Sequence, residues 1–156
     1  MTFAHQEKLR ALLDTPEQQG FIKVSEPTEW VNSLVIIEKV NGKIRLRIDP
    51  KALNKAIQRE HFQLPSKEEI LSELVGARFF TKMDAAASLH QIKLDECSSK
   101  LTTFNTPCCH YRYLRMPMGI SSAPEVFHKK LRQLLEDLPG CRVFFVDLIV
   151  WGSTHS

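Results

Sequence analysis

No apolar run in the chain exceeds nine residues, and that one, Val143 to Trp151, is interrupted by Asp147. A membrane-spanning helix needs about 20, so no membrane partner is expected. The N-terminus, MTFAHQEKLR, lacks the apolar core that follows a basic start in a secretory signal. An intracellular protein, cytoplasmic or nuclear, is therefore expected. The cysteines Cys97, Cys108, Cys109 and Cys141 contain no C-x-x-C pair, and nothing points to an oxidising compartment. Cys108-Cys109-His110 lacks the wider, repeated spacing of zinc sites. Repeats and low-complexity segments are absent too.

What is present is an ordinary globular balance. The 156 residues are 43% hydrophobic and 25% charged, enough to form a core without staples. The net charge of +3 is too small to indicate nucleic acid by itself. Its distribution says more: residues 1–76 hold eleven Lys/Arg against eleven Asp/Glu, and residues 77–156 hold ten against seven. Between 100 and 132, Lys100, Arg112, Arg115, Lys129, Lys130 and Arg132 face Glu125 alone. Such a stretch can attract phosphates, and a solvated helix face beside a strand explains it as well.

Local patterns predict an α+β fold, helices packed on an antiparallel sheet. Phe3 to Leu13 reads as a short helix, and Thr15-Pro16 as the start of another that Gly20 stops. Ser33–Lys39 and Lys43–Ile48 read as a hairpin turning at Asn41-Gly42. In its second strand Ile44, Leu46 and Ile48 alternate with Lys43, Arg45 and Arg47. Ser66-Lys67-Glu68-Glu69 is a capping box opening a helix to Leu74. Strands are predicted at Phe79–Met83, Gln91–Leu94, Leu101–Asn105 and Tyr111–Arg115. A helix opened by Ser122-Ala123-Pro124-Glu125 carries an apolar stripe of Phe127, Leu131, Leu134, Leu135 and Leu138. Arg142–Phe145 and Leu148–Trp151 read as a tight hairpin with Val146-Asp147 at its tip.

Two carboxylates stand out. Asp84 and Asp147 each end a strongly apolar strand, where burying a charge is costly unless it is paired, hydrogen-bonded or metal-bound. Either one alone is explained by a turn or a helix cap. If their strands are neighbours, the pair converges at one end of the sheet, an arrangement that can hold two Mg²⁺ ions.

The residues EPTEWVNSLVIIEKVNGKIRLRIDPKALNKAI, REHFQLPSKEEILSELVGARFFTKMDAA, QIKLDECSSKLTTFNTP, YRYLRMPMGISSAPEVFHKKL and VFFVDLIVWG follow one another in register between about Gly20 and Gly152. In them the chain resembles the reverse transcriptases of gypsy-type LTR retrotransposons. The resemblance implies the fingers and a partial palm of a right-hand polymerase, with the thumb and the remaining polyprotein domains absent. It divides the chain into an N-terminal helical segment (1–20), a fingers-like region with the β-hairpin (21–78) and a partial palm (79–156). It puts Asp84 and Asp147 at catalytic, metal-binding positions, with the Ala85 carbonyl as a further metal ligand for two Mg²⁺ ions. Lys39 and Arg45 match positions that contact the incoming triphosphate, Leu89 one that stacks beneath the sugar, and Met118-Gly119 the loop lining the nucleotide pocket. Lys129, Lys130 and Arg132 are candidates for contact with nucleic acid. The implied partners are an RNA or DNA template with its primer, and dNTPs.

Departures from that pattern bear on activity. The family's Y-x-D-D hairpin reads Phe145-Val146-Asp147-Leu148, so Leu148 stands where a second Asp is usual and cannot bind Mg²⁺. Ala87-Ser88-Leu89 lacks the family's glycine and its sugar-stacking ring, so strain is expected at Ser88. Two readings result: a Mg²⁺-dependent reverse transcriptase domain, impaired or inactive as it stands, or a non-catalytic element remnant that at most binds nucleic acid or a partner.

Overall fold

The computed structural model describes residues 3–38, 40–42, 44–58 and 61–153. Its elements are α1 (Phe3–Gln18), β1 (Ile22–Ser25), β2 (Ser33–Glu38), β3 (Ile44–Asp49), α2 (Lys51–Ala56), α3 (Lys67–Glu73), β4 (Phe79–Asp84), α4 (Glu96–Leu101), β5 (Phe104–Asn105), β6 (His110–Tyr113), α5 (Ala123–Leu135), β7 (Cys141–Phe144) and β8 (Asp147–Gly152). Every sheet pairing is antiparallel, in the orders β1-β6-β5, β2-β3 and β4-β8-β7. The chain is thus α+β.

It divides into two compact units, residues 1–57 with 89–121 and residues 58–88 with 122–156. Neither is continuous in sequence, unlike the segments 1–20, 21–78 and 79–156 read from the resemblance.

The first unit holds most of the deeply buried apolar side chains. Leu9 and Leu13 of α1, Ile22 of β1, Ile48 of β3, Leu53 of α2, Phe104 of β5 and Tyr111 and Tyr113 of β6 are all buried. The ring of Phe104 lies 5.4 Å from that of Tyr113 and 5.9 Å from that of Tyr111. Asn32 and Ser99, both buried, have their side chains paired as burial favours, whereas Arg112 Nη1 is buried without a hydrogen-bond partner among the described residues. Asn32 Nδ2 donates to the carbonyls of Leu101 and Thr103 at 2.9 Å, and Ser99 Oγ donates to that of Tyr113 at 2.6 Å.

Several local expectations need correcting. A single helix, α1, runs through Pro16, because a proline in the last turn forfeits only one backbone bond. It ends in a Schellman motif: Phe21 N–H donates to Pro16 O at 2.8 Å and Gly20 N–H to Glu17 O at 3.0 Å, with Gly20 at φ 70°. Ser88–Gln91 is a 3₁₀ turn, and Lys93 makes only an isolated bridge to Arg115, in place of a strand at 91–94. Of the strand expected at 101–105, Leu101 ends α4, Thr102 is the C-cap of that helix and β5 keeps only Phe104–Asn105; the N-cap of α4, Asp95, accepts from Ser98 N–H at 2.6 Å. Helix α2 went unpredicted.

In the second unit the capping box at Ser66 forms in full. Its Oγ accepts from Glu69 N–H at 3.2 Å and its own N–H donates to Glu69 Oε2 at 2.9 Å. Helix α5 buries Ala123, Phe127 and His128. Leu134 and Leu138 of the expected stripe are instead 78% and 54% exposed. Ser122 precedes α5 without a side-chain cap bond.

Candidate active site

The geometry around the two aspartates follows from one hairpin. Strands β7 and β8 are joined by the two-residue turn Phe145-Val146, and Phe144 pairs with Asp147. Asp147 is therefore the first residue of β8 and does not sit at the hairpin tip. Phe145 adopts φ 55°, a region that glycine favours and that costs other residues about 1–3 kcal/mol. Its ring stands edge-on to Phe144, with centroids 4.7 Å apart. The backbone of Phe145 is also held from α5: His128, 1% exposed, hydrogen-bonds to it. Burial holds the His128 ring below the ordinary histidine value, with the Arg132 charge adding to the shift and the Phe145 bond opposing it.

Strand β8 then pairs with β4, and the register sets Asp84 directly opposite Asp147. Directly opposed residues hold their Cβ atoms about 4.5–5.5 Å apart on the same face of the sheet. Neither carboxylate is deeply buried: Asp84 is exposed, like every residue of β4, and the Asp147 side chain is 25% exposed. The apolar surroundings expected for Asp84 do not form, because β4 is an edge strand of its sheet.

Lys82 is two residues before Asp84 and so shares its face. Its ammonium lies 2.9 Å from Asp147 Oδ2. That bond, the Asp147 charge and the more distant Asp84 charge raise the lysine above its ordinary value.

Leu148 points the other way. It pairs with Met83 and with Val143, which is 4% exposed. On that same face of β7, Cys141 Sγ lies 3.3 Å from the carbonyl of Leu138, just beyond α5. Leu148 thus occupies the helix-covered face of the sheet, opposite to the aspartates.

The other candidate residues are positioned as follows. Ala85 is half-buried just after β4. Ala87, at φ 48°, takes the left-handed conformation in the following turn, so the strain expected at Ser88 falls one residue earlier. Arg45 lies on β3 opposite Ile37 and is exposed, in the alternation its sequence predicts. Lys39 lies outside the described residues. Leu89 is half-buried in the 3₁₀ turn. Met118 O accepts from Ile48 N–H at 3.3 Å, and Gly119 O from Asn54 Nδ2 at 2.9 Å. Asn54 Oδ1 also accepts from Ser121 N–H at 2.9 Å, so this α2 residue clamps both ends of the 119–121 loop. Gly119 sits at φ 117°, and a Cβ there would overlap the Ile48 carbonyl oxygen.

These residues fall into two groups. Asp84, Ala85 and Asp147 belong to the second unit, whereas Arg45, Leu89, Met118 and Gly119 belong to the first.

The basic stretch is likewise divided. In the first unit Arg112 pairs with Glu96 at 2.8 Å, with Lys100 4.0 Å from the same oxygen, and Arg115 donates to Gln91 O at 3.3 Å. In the second unit Lys130 and Arg132 are exposed, Lys129 is half-buried, and the Arg132 guanidinium lies 5.9 Å over the Phe62 ring.

The sequence reading passed over Lys82, His128 and Asn54. Lys82 carried a signal, since alternation alone puts it beside Asp84. The other two became visible only through their tertiary partners.

The site fits a hard divalent cation in its minimal form. Among the described residues, no group of three or more His, Cys, Asp or Glu side chains gathers to hold a metal. Mg²⁺, however, is commonly held by one or two carboxylates together with substrate phosphates, and Asp84 and Asp147 supply two. Among the described residues, no helix is long and apolar enough to cross a membrane.

The chain is 36% identical over 142 residues to the retrovirus-related Pol polyprotein of transposon 297 from Drosophila melanogaster, covering 87% of this chain and 13% of the relative. It is 32% identical over 119 residues to the enzymatic polyprotein of Cauliflower mosaic virus (strain Strasbourg), covering 76% and 18%. The chain thus spans only a small part of the length of these relatives. Among solved structures it resembles the foamy viral protease-reverse transcriptase in complex with RNA/DNA hybrid, with a TM-score of 0.83 and 19% identity over 99% of this chain and 21% of that one. Residues 37–155 match the family of reverse transcriptases (RNA-dependent DNA polymerases), and the chain belongs to that family.

Proposed function

We propose that this chain is the fingers and partial-palm portion of a gypsy-type LTR retrotransposon reverse transcriptase, with a reduced metal site. The register that sets Asp84 opposite Asp147 is the observation that carries this reading. Hairpin β2–β3 acts as the fingers, and strands β4, β7 and β8 as the palm. The substrates are an intracellular template with its primer, and dNTPs.

In this reading Asp84 and Asp147, with the Ala85 carbonyl, hold Mg²⁺. When bound, the metal lowers the pKa of the primer 3′-hydroxyl and stabilises the departing pyrophosphate. Arg45 and Lys39 neutralise triphosphate charge, a task suited to guanidinium and ammonium groups. Leu89 covers the sugar without the stacking an aromatic ring would add, and Met118-Gly119 lines the nucleotide pocket. His128 anchors the strained Phe145 turn and keeps Asp147 in register. The exposed Lys130 and Arg132, with Lys129, are available to a nucleic-acid backbone. Lys82, paired with Asp147 at 2.9 Å, offsets part of the negative charge that a metal needs, so turnover is slow.

Leu148 and the Lys82–Asp147 pair favour a second reading, a remnant that binds nucleic acid without turnover. Primer extension on an RNA template with dNTPs and Mg²⁺ separates the two. Slow extension that disappears in Asp147→Asn supports the polymerase. No extension by the wild type, alongside salt-dependent primer-template binding, supports the remnant.

A further inference from the structure

The exposed face of the β4-β8-β7 sheet carries few charges, and each can be accounted for. Asp84 and Asp147 are direct partners, Lys82 and Ile149 are the next pair along, and Arg142 lies opposite Ile149 on the far strand. Arg142 is engaged elsewhere, with its Nε 2.7 Å from Glu73 Oε2. Lys82 remains, with its Nζ 2.9 Å from Asp147 Oδ2 and its side chain 69% exposed. A lysine so exposed is not fixed by packing; the Asp147 carboxylate holds its ammonium, with Asp84 on the same face of the sheet. With Lys82 in place the cluster carries one net negative charge, not two. Leu148 faces the opposite side of the sheet, so no third carboxylate on this face offsets the lysine.

We infer that Lys82 is the internal counter-cation of the Asp84–Asp147 pair, and that a divalent ion binds only by displacing its ammonium from Asp147. This rests on the reading of the two aspartates as a metal site. The lysine weakens that site in two ways. It occupies a carboxylate oxygen that a metal needs, and it places a positive charge within several ångströms of a doubly charged ion. In water, a unit charge and a divalent ion about 5 Å apart repel enough to change affinity roughly tenfold. Mobile salt reduces the effect.

The test is Mn²⁺ binding to the full chain at low ionic strength, read from the loss of the free-ion electron paramagnetic resonance signal. It compares the wild type with Lys82→Met, Lys82→Arg and Asp147→Asn. Lys82→Met should bind Mn²⁺ about tenfold more tightly, Lys82→Arg should stay near the wild type, and Asp147→Asn should lose binding. The gain in Lys82→Met should shrink as salt is added. If Lys82→Met matches the wild type while Asp147→Asn loses binding, the counter-cation role is wrong and the two-carboxylate site stands. If Asp147→Asn binds as the wild type does, or if neither the wild type nor Lys82→Met binds, both fall.

Discussion

Ile22, Phe104, Tyr111 and Tyr113 in the sheet β1-β6-β5 are at most 7% exposed, whereas all six residues of β4 in the sheet β4-β8-β7 are exposed. The first sheet is tied in place by buried hydroxyl and amide bonds from α4 and Asn32. The second is covered on one side by α5 and bears two carboxylates and a lysine on the other. The difference separates stability from chemistry. Apolar packing fixes one unit, and in the other it is confined to the face away from Asp84 and Asp147. An open edge strand is a poor source of hydrophobic stabilisation, but it leaves carboxylates hydrated and able to exchange a cation.

The contrast can be broken most severely at Phe104. Phe104→Ala should cost about 3–5 kcal/mol by urea denaturation, whereas Phe80→Ala on exposed β4 should cost less than about 1 kcal/mol. Equal losses would mean that the two sheets share the burden of stability. Next in size, Asp147→Asn should lower primer extension by about 10²–10³ while leaving the urea midpoint near the wild type. Leu148→Asp should cost about 1–3 kcal/mol, because it moves a carboxylate onto the face shared with Val143. It should bring no gain in extension, and a gain would show that residue 148 reaches the aspartate face. Ser66→Ala, which removes one half of the capping box, should cost about 1 kcal/mol.

The smallest expected effect is on pH dependence. Burial lowers both His90, in the first unit, and His128, in the second, below the ordinary value of 6.5. Below about pH 6.5 the unfolded chain takes up protons that these folded histidines resist, so stability falls as pH falls and recovers as it rises. Urea midpoints measured from pH 8 to pH 5 should decline towards acid, and less so in the double variant His90→Gln/His128→Gln.

Legibility in the sequence followed the range of the interaction. The Ser66 capping box, the stop at Gly20, the hairpin at Asn41-Gly42 and the alternation of Ile44, Leu46 and Ile48 all depend on neighbours a few residues away, and each was readable. Helix α4 was missed although Asp95 caps Ser98 N–H, because its six residues are too few to show a helical apolar period between two stretches that read as strands. Helix α2 follows Pro50, which has no side chain able to cap it. For the two aspartates, the condition that their strands be neighbours is met, but the expectation of apolar surroundings failed at the edge strand.

The amino-acid order alone set the alternation of the strands, most of the turns and the aspartates that adjoin two apolar strands. These follow from backbone sterics and side-chain period, which act locally. Which strands became neighbours, and in what register, depended on the folded chain. A shift of one residue in β8 would turn Asp147 to the covered face and Leu148 to the open one. The register that sets Asp147 against Asp84 also brings Lys82 onto its carboxylate and turns Leu148 away from it. Those contacts join residues more than sixty positions apart in the chain, and no local pattern encodes them.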